Sequence, residues 1–282
     1  MIHIAQTKIS QLMKNELIAT GKYLHLPEIF YVPRFMAQFG LPTRELDAIE
    51  HIRRNNNFRV SMIAPSNIGL PFGIYPRLML FWLTTEIKIK GQRDIYLGKN
   101  INLFMKSLGK SSSGGANGSL TSIRKQSQRL FSSYFNWELS THNVLHTENM
   151  LLASEATFLW ESNQSWQGHI RVSEDFFNHV FHHAYPVCRQ TILALGRNIF
   201  AVDIYLWLAY RLPLVGRPIL VDWEKLVLQF GNNFKRKSNF KRDFNSACEL
   251  VLYFYSDAKI RQHDNGILLL RSAPHIRKLD SG

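Results

Sequence analysis

The same order of sequence patterns occurs twice along the chain, and each copy contains one helix-sized segment with a polar, basic face. The first segment is SLTSIRKQSQRLFSSYF at 119–135, and the second is KRKSNFKRDFNSACELVLYFY at 235–255. Each follows a polar loop and combines apolar residues at helical spacing with basic and amide side chains. Such side chains bind base edges and phosphates. The repetition therefore predicts two DNA-reading modules in a single chain.

Glycine, proline and polar residues divide each copy into short elements. The first copy contains these predicted elements: helix 77–89, strand 94–98, helix 101–108, a Ser/Gly loop at 111–119, the helix from Leu120, an antiparallel pair formed by 135–146 and 150–160, and a closing segment at 169–181. The second contains these: helix 201–212, strand 218–223, helix 224–230 with Asp222 as N-cap, a polar loop at 231–238, the helix from Asn239, and a hairpin at 259–271 with a turn at 264–266 suited to positive φ. Helix, short strand, helix, loop, helix and hairpin is the order of a winged helix.

This order predicts an α+β protein with tandem winged-helix domains, that is, two winged helix-turn-helix modules behind an N-terminal leader. The predicted domains are a leader at 1–57 with a helix at 9–18, winged-helix domain 1 at 58–186, winged-helix domain 2 at 187–273, and a C-terminal tail at 274–282. The repeat is structural, because the halves share no strong sequence identity. A chain of 282 residues is long enough for two domains with real cores.

The chain carries 34 Lys and Arg against 21 Asp and Glu, a formal net charge of +13. Such a balance favours a polyanionic partner, either nucleic acid or an acidic membrane surface. The most apolar stretch, 68–87, contains Pro71, Pro76 and Arg77, so no transmembrane segment is predicted. The N-terminus lacks the apolar run and cleavage site of a secretory signal. Because both cysteines lie in apolar surroundings, they are interpreted as reduced core thiols of a cytoplasmic protein.

On a helical projection, the first segment divides into an apolar side and a hydrogen-bonding side. Leu120, Ile123 and Leu130 mark the apolar side. Arg124 projects toward the same side, where it would anchor the domain. Arg and Lys pair with guanine, Gln pairs with adenine, and Ser and Thr bind base or phosphate. The candidate DNA-binding residues of this helix are Thr121, Ser122, Arg124, Lys125, Gln128 and Arg129.

The second segment has an aromatic core stripe and a basic start. The predicted stripe is Phe240, Phe244, Ala247, Val251 and Tyr255. Three basic residues lie just before the helix, where the helix dipole and free amide groups also favour phosphate. Further basic and amide side chains project away from the stripe. The candidate DNA-binding residues of this segment are Lys235, Arg236, Lys237, Ser238, Lys241, Arg242 and Asn245.

No catalytic site is predicted. Gly109-Lys110-Ser111 resembles the end of a phosphate-binding P-loop, but that motif needs a glycine where this chain has Phe104. A metal-dependent nicking enzyme of the rolling-circle type would need two histidines flanking one hydrophobic residue, and the chain has no such triplet. The usual Cys and His spacings of a metal site are also missing from the sequence. We therefore expect a protein that is not an enzyme, without cofactor or metal.

Several strings occur in the order known from one protein family. In the first half they are GLPFGIYPRLMLFWLTTE (69–86), IYLGKNINLFMKSLG (95–109) and LTSIRKQSQRLF (120–131). In the second half they are AVDIYLWLAYRL (201–212), DWEKLVLQFG (222–231) and FKRDFNSAC (240–248). Together they resemble the plasmid-encoded RepA family of iteron-binding replication initiators, which is similar to the TrfA group. The leader departs from the family pattern.

This resemblance implies tandem winged-helix domains that bind direct repeats (iterons) in double-stranded origin DNA and help to melt the adjacent A+T-rich DNA. It also implies recruitment of two host partners, the DnaA initiator and the replicative helicase. In similar initiators, homodimers often repress their own gene, whereas monomers activate the origin. A protein of this kind would be associated with the plasmid in the cytoplasm.

Three other interpretations stay open at this stage. A dedicated winged-helix transcriptional repressor would use the same modules, although two unlike modules fit an asymmetric direct repeat better than a palindrome. A rolling-circle nicking initiator would need a tyrosine nucleophile. A basic interaction protein would bind nucleic acid without regard to base order.

Overall fold

The computed structural model describes residues 28–55, 57–98, 100–159, 167–231 and 236–276. The first elements are β1 (Ile29–Val32), a 3-10 helix (Arg34–Ala37), β2 (Glu50–Asn55), β3 (Phe58–Ile63), α1 (Ile74–Lys90), β4 (Asp94–Tyr96), α2 (Ile101–Ser107), α3 (Ser119–Phe131), β5 (Tyr134–Ser140), β6 (Leu145–Leu151), β7 (Ala153–Leu159) and β8 (Gln167–Val172). The later elements are α4 (Glu174–His183), β9 (Tyr185–Cys188), α5 (Arg189–Leu195), α6 (Ile199–Arg211), a 3-10 helix (Leu212–Leu214), β10 (Ile219–Asp222), α7 (Trp223–Phe230), α8 (Lys237–Phe254), β11 (Ile260–His263) and β12 (Gly266–Leu269). None of the described helices is long and apolar enough to cross a membrane.

Each half contains a three-stranded antiparallel sheet, and the two sheets have the same strand order. The first is β4-β8-β7 and the second is β10-β12-β11. In each sheet a short strand, β4 or β10, follows a long helix. This strand pairs with the second strand of a later hairpin, β8 or β12. α3 in the first half and α8 in the second lie between that short strand and that hairpin in the chain. The predicted repetition is therefore present in the order of elements and in the strand pairing.

The first half also contains a four-stranded sheet, and this makes the predicted pairing of 135–146 with 150–160 wrong. β5 pairs with β6, and together with β2 and β3 they form a four-stranded sheet in the order β2-β3-β5-β6. β7 pairs with β8 instead. Only Leu152, which is 1% exposed, separates β6 from β7. Because no glycine or proline marks this corner, the alternating pattern runs through it as if it were one strand.

The described part of the predicted leader, 28–55, packs into the core. Phe30, Val32 and Phe39 are at most 1% exposed. β1 pairs with β9, and β2 pairs with β3. This segment therefore contacts elements from both halves of the chain. The helix predicted at 9–18 lies outside the described residues, as does 277–282 of the predicted tail.

A buried ion pair joins the first long helix of each half. Arg77 of α1 is fully buried, and its Nε and Nη2 donate to the two carboxylate oxygens of Asp203 in α6 at 2.9 and 2.7 Å. The same guanidinium also donates to the carbonyl oxygens of Leu41, Pro42 and Gly73. Every group of the pair thus has a partner, as a buried charge requires. The pair fixes α1, α6 and the 41–42 segment against one another.

A second buried titratable group lies beside this pair and predicts acid sensitivity. His51 of β2 is 3% exposed, and its Nε2 donates to the Gly40 carbonyl oxygen at 2.9 Å. Burial lowers the pKa of His51 from 6.5 to about 3. Below pH 6.5 the unfolded chain binds a proton that the folded protein does not bind. His51 should therefore reduce the free energy of unfolding by about 1.4 kcal/mol per pH unit as the pH falls below 6.5.

Urea unfolding at pH 7.5 and pH 5.5 measures this effect. The His51→Gln variant keeps an N–H donor but cannot titrate, so its stability should decrease less between the two pH values. An equal decrease in the wild-type protein and the variant would show that His51 is not responsible.

The second half confirms one local prediction and corrects another. Asp222 is the N-cap of α7, because its side chain accepts a hydrogen bond from the Lys225 amide at 2.9 Å. The hairpin β11–β12 is present, but Gly266 does not have the positive φ suited to the predicted turn. It lies inside β12, opposite His263 and Asp222, and a Cβ there would collide with the Val221 carbonyl oxygen. Close strand packing, not turn geometry, requires this glycine.

Candidate nucleic-acid interface

α3 is attached to the first half by a buried side that includes polar residues. Ile123 and Leu130 are fully buried. The Gln126 side chain accepts a hydrogen bond from the Phe72 amide at 2.8 Å, and the Ser127 hydroxyl donates to the Ile123 carbonyl oxygen at 2.6 Å. These bonds satisfy the buried polar groups and fix the rotation of the helix about its axis.

The exposed side of α3 is a continuous polar stripe. Thr121, Arg124, Lys125 and Gln128 are all exposed, at the spacing i, i+3, i+4 and i+7 that places residues on one helix face. The Lys125 ammonium lies 3.4 Å from the Glu45 carboxylate, and this exposed ion pair is weak. Ser122 is half-buried at the edge. The stripe brings together one hydroxyl, one amide and two basic groups that can bind DNA.

The predicted positions of the two arginines of α3 are wrong. Arg124 is exposed, whereas Arg129 is 9% exposed and has internal partners. The Arg129 guanidinium forms an ion pair with Glu45, donates to the Leu70 carbonyl oxygen at 3.1 Å, and lies 5.2 Å from the centre of the Phe72 ring. Its hydrogen bond lowers the pKa of the Glu45 carboxyl. Arg129 therefore holds the 45 and 70–72 segments on α3 and is not available to DNA in this arrangement.

The predicted Ser/Gly loop at 111–119 is tied to the start of α3 by hydrogen bonds. The Ser119 hydroxyl accepts a hydrogen bond from the Ser113 amide, and the Ser113 hydroxyl accepts one from the Ser119 amide. The Thr121 hydroxyl donates to the Gly115 carbonyl oxygen at 2.8 Å. Gly115 has a φ of 86°, which only glycine adopts readily. The loop thus closes over the N-terminus of α3 with a defined shape.

A groove separates α3 from the first strand of the neighbouring hairpin. Its volume is about 420 Å³, and its lining includes Arg124 and Gln128 of α3 together with Ser154 and Glu155 of β7. Sequence reasoning did not single out the two β7 residues. Strand alternation indicated that residues of this segment would be exposed, but only the fold brings them beside the polar stripe.

In α8 the predicted core stripe is confirmed. Phe240, Phe244, Ala247, Val251 and Tyr255 are all buried. On the opposite side, Ser238, Arg242, Ser246 and Glu249 are exposed at spacings of three and four residues. This second stripe is the counterpart of the first, with one basic and one acidic group.

The remaining candidates near α8 have different surroundings. The Lys241 ammonium lies over the Trp223 ring at 5.1 Å from its centre, and Lys237 forms an exposed ion pair with Glu224 at 3.5 Å. Asn245 is half-buried, and its Oδ1 is buried without a hydrogen-bond partner. Arg236 is exposed at the N-terminus of α8. Lys235 lies outside the described residues.

The hairpin that follows α8 presents basic groups that the sequence did not single out. Lys259 and Arg261 are exposed, and His263 is exposed beside the turn. These residues are two positions apart, and this spacing in the sequence could have indicated that they share one exposed face of the strand. In the described part of the chain, no group of three metal-binding side chains comes together.

Comparison with known proteins agrees with this architecture. The family described as "Plasmid encoded RepA protein" matches residues 70–223. Two crystal structures of domains 2 and 3 of RctB have a similar fold, each at 12% sequence identity. The first match has a TM-score of 0.53 and covers 83% of this chain and 94% of the RctB chain. The second has a TM-score of 0.57 and covers 87% of this chain and 99% of the RctB chain. No curated protein matches the chain.

Proposed function

Because this chain belongs to the plasmid-encoded RepA family of replication initiators, we propose that it binds direct repeats in origin DNA through two winged-helix modules. α3 and α8 are the proposed recognition helices. The proposed modules correspond to winged-helix domain 1 at 58–186 and winged-helix domain 2 at 187–273, with 28–55 packed against both. The two three-stranded sheets with one strand order, each next to a helix with an exposed polar stripe, support this proposal most directly.

The two stripes differ in chemistry, which favours an asymmetric site. The α3 stripe offers two basic groups and one amide, whereas the α8 stripe offers one basic group, two hydroxyls and a carboxylate. Arg and Lys recognise guanine, Gln recognises adenine, and a carboxylate accepts from the cytosine amino group. Two such helices can enter successive major grooves about 10–10.5 bp apart. One protomer would then read an asymmetric repeat of about two helical turns.

Phosphate contacts would come from residues around the stripes. Arg236, Lys237 and Ser238 lie at the N-terminus of α8, where backbone amides and the helix dipole favour anions. Lys259 and Arg261 of the second hairpin can reach the neighbouring backbone. Such contacts position the protein without reading sequence, and they make affinity depend on salt.

Later steps of initiation follow from family membership alone. We propose that several bound copies stabilise opened A+T-rich DNA, which needs DNA deformation and no catalytic residue in this chain. Recruitment of the host DnaA initiator and replicative helicase is proposed on the same basis. We also propose, from family membership, that a homodimer represses the protein's own gene.

Selection of binding sites from a random duplex library at physiological salt tests the proposal. An asymmetric motif of about two helical turns is expected, and the same motif should recur as repeats in the parent replicon. A palindrome would favour a dedicated dimeric repressor. Binding without any motif, lost as salt rises, would leave a basic protein that does not read sequence.

Single substitutions on the stripes should separate base reading from phosphate contact. Lys125→Ala and Arg242→Ala should each weaken binding to the selected motif by about 1–3 kcal/mol and change binding to random duplex much less. Fluorescence anisotropy on both duplexes measures the difference. Lys90→Ala is the matched control, because it removes a positive charge at the end of α1, outside both stripes. Equal losses on both duplexes would assign Lys125 and Arg242 to phosphate contacts.

A further inference from the structure

A cavity of about 430 Å³ lies where β2 meets the start of α6 and the end of α7. Arg53 of β2 contributes one wall. Arg197, Phe200 and Phe230 also line it. The cavity therefore has basic groups from both halves of the chain next to aromatic surface.

Arg53 is a buried cation with too few partners. It is 6% exposed, its Nε has no hydrogen-bond partner, and its Nη1 donates only a long bond of 3.3 Å to the Ile52 carbonyl oxygen. Among the described residues that line the cavity, the acidic one is Asp203. Both of its carboxylate oxygens already accept hydrogen bonds from Arg77. Burial lowers the pKa of the Arg53 guanidinium to about 10; the Asp203 carboxylate opposes this shift and the Arg77 charge adds to it, so one carboxylate serves two buried cations.

Two more features add positive potential to the same cavity. Arg197 is exposed at its rim, and within the described ranges its guanidinium forms no ion pair. The 13-residue helix α6 begins at the cavity wall, with Asn198 as N-cap, so the positive end of the helix dipole borders the space. A guanidinium pair at a helix N-terminus is a suitable binding site for a tetrahedral dianion.

We propose that this cavity binds a phosphate group, held between Arg53 and Arg197 at the start of α6. The cavity is larger than a phosphate ion, so the rest of the ligand would lie against Phe200 and Phe230. The phosphate comes either from a small phosphate ester or from a DNA backbone that reaches the cavity. Because Arg53 belongs to β2 and Arg197 precedes α6, the bound phosphate bridges the two halves and stabilises their relative arrangement.

Thermal unfolding of the full chain in phosphate-free buffer and with added inorganic phosphate, at constant ionic strength, tests the site. At ten times the dissociation constant, phosphate should raise the Tm of the wild-type protein by about 2–3 °C. Arg53→Met should lose this response and should have a higher Tm than the wild type without phosphate, because a buried charge that shares the Asp203 carboxylate with Arg77 is removed. Arg197→Gln, at an exposed position, should reduce the response without changing the starting Tm.

Arg217→Gln is the matched control, since Arg217 is an exposed arginine that does not line the cavity. Phosphate also stabilises proteins in general by exclusion from their surface, and this part of the shift should persist in every variant. A phosphate response that is the same in the wild type, Arg53→Met and Arg197→Gln would overturn the proposal. A lower Tm of Arg53→Met in phosphate-free buffer, with its response intact, would instead assign Arg53 to folding.

Binding to duplex DNA identifies the source of the phosphate. If the DNA backbone supplies it, Arg53→Met should weaken binding to all duplexes and reduce the salt slope by about 1. If a small phosphate ester supplies it, Arg53→Met should lose the Tm response and keep its DNA affinity. Either result is independent of whether α3 and α8 read bases.

Discussion

Asp203→Asn should lower the free energy of unfolding by about 3–5 kcal/mol, one of the largest effects expected for a single substitution in this chain. The substitution is nearly isosteric, so it creates no cavity. It leaves the fully buried Arg77 without its counter-charge. The remaining acceptors of the guanidinium are the neutral carbonyl oxygens of Leu41, Pro42 and Gly73. The loss of stability is therefore the free energy of keeping an unpaired cation buried. Because the pair joins α1 to α6, the variant should also loosen the two halves relative to each other.

Urea unfolding at pH 7.5 measures this loss. Asp222→Asn is the matched control, because Asn caps a helix as well as Asp does and the Asp222–Lys225 ion pair is exposed. It should change stability by less than about 0.5 kcal/mol. A loss below about 1 kcal/mol for Asp203→Asn would mean that Arg77 finds another acceptor or that water reaches it.

Phe244→Ala should cost about 3–5 kcal/mol by a different mechanism, the removal of a ring from a closely packed aromatic cluster. The Phe244 ring centre lies 5.5 Å from that of Phe240, 5.7 Å from Phe230 and 5.9 Å from Trp223. Phe244 is fully buried, and its neighbours belong to different elements, so they cannot all move in to fill the space. The cluster attaches α8 to the second half, and its loss should also abolish DNA contact through the α8 stripe.

Tryptophan fluorescence during urea unfolding includes a signal from this cluster, because two of the six tryptophans, Trp207 and Trp223, lie beside Phe244. Ser246→Ala is the control on the same helix, since Ser246 is exposed and its loss removes no packing. Phe244→Leu should fall between the control and Phe244→Ala. If Phe244→Ala unfolded at the same urea concentration as the wild type, the proposed attachment of α8 would be wrong.

Local patterns predicted the parts of the fold that local forces determine. The buried stripe from Phe240 to Tyr255, the Asp222 N-cap and the β11–β12 hairpin all depend on residues within a few positions of one another. The two polar stripes were largely predicted for the same reason, because helical periodicity places their residues on one face.

Contacts between distant residues account for what the sequence did not predict. Arg129 is buried because Glu45, 84 residues earlier, reaches its guanidinium. The helical projection placed Arg129 outward because it treats the helix as isolated. The Arg77–Asp203 pair spans 126 residues. Likewise, Phe30 and Phe39 lie within the predicted leader at 1–57 and are core residues, because they pack against elements far along the chain.

The pairing of β1 with β9 has a consequence for how the chain is synthesised. Ile29–Val32 leaves the ribosome early, whereas its partner, Tyr185–Cys188, is made only after most of the first half is complete. At ordinary rates of translation the delay is roughly 8–30 s. During that interval β1 has an unpaired backbone edge and exposed Phe30 and Val32 side chains, which neighbouring nascent chains on the same messenger could bind. Chaperone demand during synthesis should therefore be highest before Cys188 emerges.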